Sequence, residues 1–191
     1  MVLRVLTAVL VLCFVTSASA HTMQGLNGGF ASGLEHPLFG FDHLLAMLAV
    51  GVWGAQMGGR LIWALPVAFP LVMAFGSLLG IAGLPLSHVE LGIALSVMAL
   101  GLVIALALRP PAFVALLVIA VFAIFHGYAH GFELPRAADP SAYAVGFVFA
   151  TGLIHIAGVG IGLTIGKISE GRMAKGMGGL IAVAGLYFLI T

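Results

Sequence analysis

The sequence predicts an all-α membrane protein, a polytopic bundle of about six transmembrane helices that follows a cleaved signal peptide. Of the 191 residues, 62% are hydrophobic and 7% are charged, whereas soluble domains carry about 25% charged residues. The apolar residues form continuous runs of about 20 residues, the length of a helix that crosses a bilayer. Because these runs do not alternate with polar residues, helices are predicted rather than the strands of a membrane barrel.

The N-terminus has the pattern of a secretory signal. Arg4 supplies a positive start, residues 5–15 are apolar, and Ala18-Ser19-Ala20 is a small-residue cleavage site. We therefore divide the chain into a signal peptide, 1–20, and a single transmembrane domain, 21–191. Cleavage would leave His21 at the mature N-terminus, where an amine and an imidazole together could bind a metal. The alternative is an uncleaved first helix.

Six apolar segments follow, and Gly, Pro and charged residues separate them. A possible N-cap, Ser87, precedes the third segment, and a charged loop, 167–175, precedes the sixth. The predicted helices lie near 37–58, 61–83, 87–108, 111–131, 141–165 and 174–190.

The distribution of basic residues predicts the orientation in the bilayer. A cleaved signal places the mature N-terminus outside the cell membrane, and the inner loops then hold most of the Lys and Arg, as the positive-inside rule requires. We expect a multi-pass protein of the bacterial inner membrane with an extracytoplasmic N-terminus. No basic patch suggests nucleic acid, and the oligomeric state stays open. The inner basic residues are Arg60, Arg109, Lys167, Arg172 and Lys175, against Arg136 outside.

Ionisable side chains are concentrated in a first stretch that contains His36, Asp42 and His43. Such groups are costly at membrane depth and usually mark an ion or substrate path. Pro37 suits a first helical position, which makes His36 a cap residue and places His43 about 9 Å inward. Asp42 could bind a metal directly or accept a hydrogen bond that orients an imidazole. It could also be a helix-start carboxylate stabilised by the helix dipole.

The second stretch holds His126, His130 and Glu133, spaced i, i+4 and i+7. These three side chains fall within about 60° of arc on one helix face, with His126 about 8 Å inward. Gly127 and Gly131 follow the two histidines and predict close approach of a neighbouring helix. Two interfacial histidines that hydrogen-bond lipid headgroups are the alternative. This spacing predicts a metal site on the extracytoplasmic side.

Two further residues are candidates for the same path. Glu90 lies in the first turn of the third helix, at nearly the level predicted for His43 and His126. His155 lies deeper, on a glycine-rich helix. We expect it to be a second metal position, or else a polar contact between close-packed helices.

The ligand types point to a borderline divalent ion, because imidazole with carboxylate suits nickel, cobalt and zinc. A metal permease, with the ion as cargo and no resident prosthetic group, is the first hypothesis. An intramembrane zinc hydrolase, in which Zn²⁺ activates water, is the second. A carrier of haem b with two axial imidazoles is the third. The ligands alone do not choose among the three metals.

These same residues carry a resemblance that covers nearly the whole chain. The matching text is His36-x5-Asp42-His43, then MLAVGVW at 47–53, then Phe125-His126-Gly127-x-Ala129-His130-Gly131-x-Glu133. The sequence resembles the HupE/UreJ family of hydrogenase and urease accessory membrane proteins. That resemblance implies a transporter rather than an enzyme, taking up Ni²⁺ (or Co²⁺) for hydrogenase or urease maturation. It also implies metal-handling roles for His36, Asp42, His43, His126, His130 and Glu133.

Overall fold

A computed structural model describes residues 29–133 and 139–191, which fold into helices joined by short turns. The predicted signal peptide and His21 lie outside the described residues. Within the described ranges there is no strand, and the predicted all-α class is confirmed. The helices are α1 (Phe30–Phe39), α2 (Phe41–Met57), α3 (Leu61–Ile81), α4 (Val89–Ala105), α5 (Ala112–Glu133), α6 (Pro140–Ser169) and α7 (Arg172–Ile190).

Most of these helices have the length and composition of membrane spans. In the described part of the chain, α3, α5, α6 and α7 each qualify alone, and α1 with α2 qualifies as one bent span. The 17-residue α4 is a shorter apolar helix. A polytopic membrane bundle follows, with four or five candidate spans by this criterion.

The start of the first predicted helix, 37–58, is wrong. The chain bends by 80° between α1 and α2, and Gly40 at the bend is extended, with φ −79° and ψ 96°. Pro37 lies inside the last turn of α1 rather than at a first helical position, so His36 is a helical residue and not a cap. A residue with an extended backbone cannot continue a helix, so the predicted helix is divided at Gly40.

Two other helix boundaries also differ from prediction. The charged loop expected at 167–175 is mostly helical: α6 continues to Ser169 and α7 begins at Arg172. Glu170 and Gly171 make the turn in left-handed conformations, with φ 50° and 83°. Ser87 is not the N-cap of α4, because the helix begins at Val89 after His88, and no side-chain hydrogen bond caps it.

Helix α2 is the centre of the bundle and contacts α1, α3, α4, α6 and α7. Near its C-terminal end, Trp53 Nε1 donates to the Leu108 carbonyl at 3.1 Å, and Gln56 Nε2 donates to the Ile104 carbonyl at 3.1 Å. Ile104 lies in the last turn of α4, and Leu108 lies just beyond its end. The two hydrogen bonds therefore fix the position of α2 along the axis of α4.

Glycines bring α3 and α5 into backbone contact. A Cβ at Gly127 would overlap the Met73 carbonyl, and one at Gly131 would overlap the Ser77 carbonyl. The close helix approach predicted from these two glycines is therefore confirmed. In a membrane, where lipid is as apolar as a leucine side chain, such small-residue contacts hold helices together. The contact also fixes the rotation of α5, whose His126 and His130 adjoin the two glycines.

Candidate metal site

Three helices bring four imidazole rings together near one end of the bundle. His36 comes from the last turn of α1, His43 from the first turn of α2, and His126 and His130 from successive turns of α5. The ring centroid of His43 lies 4.7 Å from that of His126 and 4.5 Å from that of His130. The His36 centroid lies 4.9 Å from His130 and 6.3 Å from His43. We call these four residues the imidazole cluster.

Three of the four rings are almost removed from solvent. His43, His126 and His130 are 7%, 0% and 5% exposed, and the Phe147 ring covers His130 at a centroid distance of 4.3 Å. Within the described residues, Nδ1 of His126 and both ring nitrogens of His130 have no hydrogen-bond partner. Buried polar atoms are normally hydrogen-bonded. Buried nitrogens without partners are what a ligand site for a cation requires.

Asp42 fixes one ring of the cluster. Its Oδ1 accepts from the His43 backbone N–H at 2.8 Å and lies 2.8 Å from His43 Nδ1. Because a carboxylate can only accept, Nδ1 of His43 carries a proton, and the neutral ring keeps its lone pair on Nε2. This is the arrangement of an acceptor that orients a metal-binding imidazole. Asp42 lies in the first turn of α2, not a turn or more inside as its predicted helix start implied.

Ser96 of α4 fixes a second ring, a contact that no sequence pattern predicted. Its hydroxyl donates to the Ile93 carbonyl at 2.6 Å and also lies 2.8 Å from Nε2 of His126. A serine has one proton and a carbonyl can only accept, so Nε2 of His126 must donate to the serine oxygen. Nδ1 of His126 then holds the lone pair. His43 and His126 each keep one nitrogen able to bind a cation.

Of the remaining predicted residues, Glu90 and His155 lie outside this cluster. Glu90 is exposed at the start of α4, about 9 Å along the helix from Ser96, so it lies nearer the end of the bundle than His126 and not at the same level. It lines a cavity of about 300 Å³ with Tyr128 and Phe132. Glu133 ends α5, but its side chain lies outside the described part, as does His21. His155 is buried deeper, on α6.

The four rings of the imidazole cluster are not arranged around a single metal position. Among the described residues, no three His, Cys, Asp or Glu side chains are disposed to hold one metal ion together. The imidazoles instead pack edge to face, with interplanar angles of 84° between His43 and His126 and 76° between His36 and His130. Binding one ion to several of these rings therefore requires side-chain rotation.

A family model described as "HupE / UreJ protein" matches residues 9–188. The chain belongs to the HupE/UreJ family. One curated relative, Protein HupE of Rhizobium leguminosarum bv. viciae, is 43% identical over 173 residues, which cover 90% of each chain. No solved structure matches the chain. The resemblance predicted from the two histidine motifs is thus confirmed.

The residues that carried the HupE/UreJ resemblance divide into two kinds in the structure. The histidine motifs meet in the imidazole cluster, and the first of them spans the bend between α1 and α2. The stretch 47–53 is almost wholly buried in the hydrophobic core, with Trp53 hydrogen-bonded to the Leu108 carbonyl just after α4. That stretch therefore packs the central helix, while the histidines and Asp42 present the polar groups.

Proposed function

We propose that this HupE/UreJ protein is a permease that takes up a divalent transition metal, Ni²⁺ or Co²⁺, for the maturation of hydrogenase or urease. The observation that carries the proposal is the buried imidazole cluster, which gathers rings from α1, α2 and α5 inside a bundle of membrane helices. Imidazole nitrogens supported by a carboxylate are suitable ligands for these ions. Membership of the family supports the same assignment.

The arrangement of the rings favours transport over tight storage. In His43 and His126, one ring nitrogen donates a hydrogen bond, to Asp42 and to Ser96 respectively. The other nitrogen, Nε2 of His43 and Nδ1 of His126, therefore carries the lone pair. Side-chain rotation completes or opens the site, so an ion can be bound and then passed on. In this proposal the protein is not an enzyme, the metal is cargo, and no resident cofactor is needed.

For orientation, we propose an inner membrane location with the imidazole cluster facing the extracytoplasmic side, following the charge bias of the loops. On this topology the mature chain begins at His21 and both termini are extracytoplasmic. N-terminal sequencing of membrane-extracted protein and a reporter fused at Thr191 measure this directly. An intact Met1, or a reporter active only in the cytoplasm, contradicts the topology.

The transport proposal is tested with purified protein in lipid vesicles that contain a metal-sensitive dye. Wild-type protein should admit Ni²⁺, with Co²⁺ as an effective competitor. His43→Ala and His130→Ala should each abolish uptake at normal protein levels, because each removes a ring at the centre of the cluster. His88→Ala, an exposed residue before α4, is the matched control and should transport normally.

Three results would contradict the proposal. Vesicles with wild-type protein that admit no more metal than empty vesicles exclude the permease function. Normal uptake by both His43→Ala and His130→Ala places the site elsewhere. Zinc-dependent hydrolysis of lipid amides by the same preparation, without uptake, would instead support the hydrolase hypothesis.

A further inference from the structure

A second set of polar atoms lies deeper in the bundle than the imidazole cluster. His155 is near the middle of α6 and only 2% exposed, and neither of its ring nitrogens has a hydrogen-bond partner among the described residues. Thr151, one helical turn nearer the outer end, is 0% exposed, and its Oγ1 also lacks a partner within the described residues. Two polar side chains on one face of a helix are therefore buried without partners.

The simpler explanation, a polar contact between packed helices, does not account for His155. Such a contact requires a hydrogen bond from the ring to a neighbouring helix, and in the described part of the chain none meets hydrogen-bond geometry. The helix contact here is made by backbone, since a Cβ at Gly51 would lie 2.5 Å from the His155 carbonyl.

One aromatic ring lies between the two sets of polar atoms. The Phe69 centroid is 5.5 Å from His126, the inner member of the cluster on α5, and 5.5 Å from His155. Phe69 is 0% exposed and belongs to the core. His126, Phe69 and His155 therefore form a continuous series, an imidazole on each side of a phenyl ring. An ion leaving His126 inward meets His155 next if the phenyl ring turns aside.

We propose that His155 and Thr151 form a second, inner position for the divalent transition metal, separated from the imidazole cluster by Phe69. This inference rests on the proposed permease function and extends it to a path with two binding positions. One imidazole, one hydroxyl oxygen and water bind such an ion more weakly than several imidazoles do. A weaker inner position suits release toward the opposite side.

The inference is tested by uptake kinetics in the vesicle assay. His155→Gln keeps a polar side chain of similar length without the imidazole, and it should lower the maximal Ni²⁺ uptake rate about tenfold. The half-saturating Ni²⁺ concentration should stay near the wild-type value, because the outer cluster is intact. Thr151→Val should lower the rate less. Thr164→Val is the matched control, since the Thr164 hydroxyl is exposed and bonds within its own helix to the Gly160 carbonyl at 2.7 Å.

A binding measurement on the same proteins gives a readout independent of transport. Equilibrium dialysis should show that wild-type protein binds one Ni²⁺ ion per molecule tightly and a second one more weakly. His155→Gln should lose only the weaker binding. Wild-type protein that binds no second, weaker ion overturns the inner position even if His155→Gln fails to fold. Wild-type uptake rates in both His155→Gln and Thr151→Val also overturn it, while the permease stands. Absence of uptake by wild-type protein overturns the permease function and this inference together.

Discussion

At the scale of single residues, the two best-placed imidazoles of the cluster are each held by one acceptor. Asp42 accepts a hydrogen bond from the Nδ1–H of His43, and Ser96 accepts one from the Nε2–H of His126. Because the acceptors bind different nitrogens, the two rings present opposite edges as lone-pair donors. Such supporting contacts orient metal ligands and change their affinity when removed.

The role of Ser96 leads to a prediction for Ser96→Ala. Without the hydroxyl, His126 loses the acceptor that fixes its tautomer, and metal affinity or uptake should fall about tenfold. Uptake in vesicles measures the loss, and ¹⁵N NMR of histidine-labelled protein should show a protonated Nε2 on His126 only while Ser96 is present. Ser77→Ala is the control, because the Ser77 hydroxyl bonds only to the Met73 carbonyl on its own helix. An unchanged His126 signal in Ser96→Ala would refute the assigned hydrogen bond.

The sequence was sufficient to find the histidines but not their support. Histidine is costly at membrane depth. The spacing of His126 and His130 on α5, and the position of His36 and His43 around the start of α2, were therefore enough to predict a polar site. Ser96 has no such signal, because serine is common in apolar helices and its partner His126 is 30 residues away along the chain. The packing of α4 against α5 alone brings them together.

At the scale of helices, hydropathy predicted the position of each segment, since a bilayer sets a length for every span. It did not predict the bend at Gly40. Residues 30–39 are apolar enough to continue into α2, and Pro37 was interpreted as a start although it lies in the last turn of α1. The difference depends on tertiary contacts, because α1 packs on α6, where Gly33 meets the Tyr143 backbone.

The contact of α3 with α5 leads to a prediction for Gly131→Ala. Its added methyl group would overlap the Ser77 carbonyl, which belongs to backbone and cannot turn away. Overpacking of this kind costs about 1–3 kcal/mol, and the thermal unfolding midpoint of detergent-purified protein should fall. Gly152→Ala on α6 is the matched control, because a Cβ there meets nothing within 4 Å. Equal midpoints for the two variants would contradict the close α3–α5 contact.

At the scale of the whole molecule, acidic side chains are few, and Glu90 is one of six in the chain. Its exposed carboxylate lines the cavity beside Tyr128 and Ala129, which lie on α5 between His126 and His130. An exposed carboxylate raises the local concentration of cations by attraction over a distance. In the proposed permease, Glu90 would therefore attract cations without being part of the imidazole cluster.

This placement predicts a modest effect for Glu90→Gln. Loss of the charge should raise the half-saturating Ni²⁺ concentration of uptake by about twofold to fivefold at low salt, and the difference should shrink as salt screens the charge. The maximal rate should not change. Glu170→Gln is the control, since Glu170 lies in the turn between α6 and α7. A loss of maximal rate in Glu90→Gln would instead place this carboxylate among the metal ligands.

The hydrogen bond of Trp53 has a consequence for optical work on this protein. The chain has two tryptophans; Trp53 is 0% exposed and bonded to the Leu108 carbonyl just after α4, while Trp63 is 57% exposed on the lateral surface of α3. One indole therefore reports on the interior of the bundle and the other on its surroundings. Quenchers dissolved in the lipid phase reach Trp63 but not Trp53. The remaining fluorescence therefore reports on the contact between α2 and the end of α4 without any attached label.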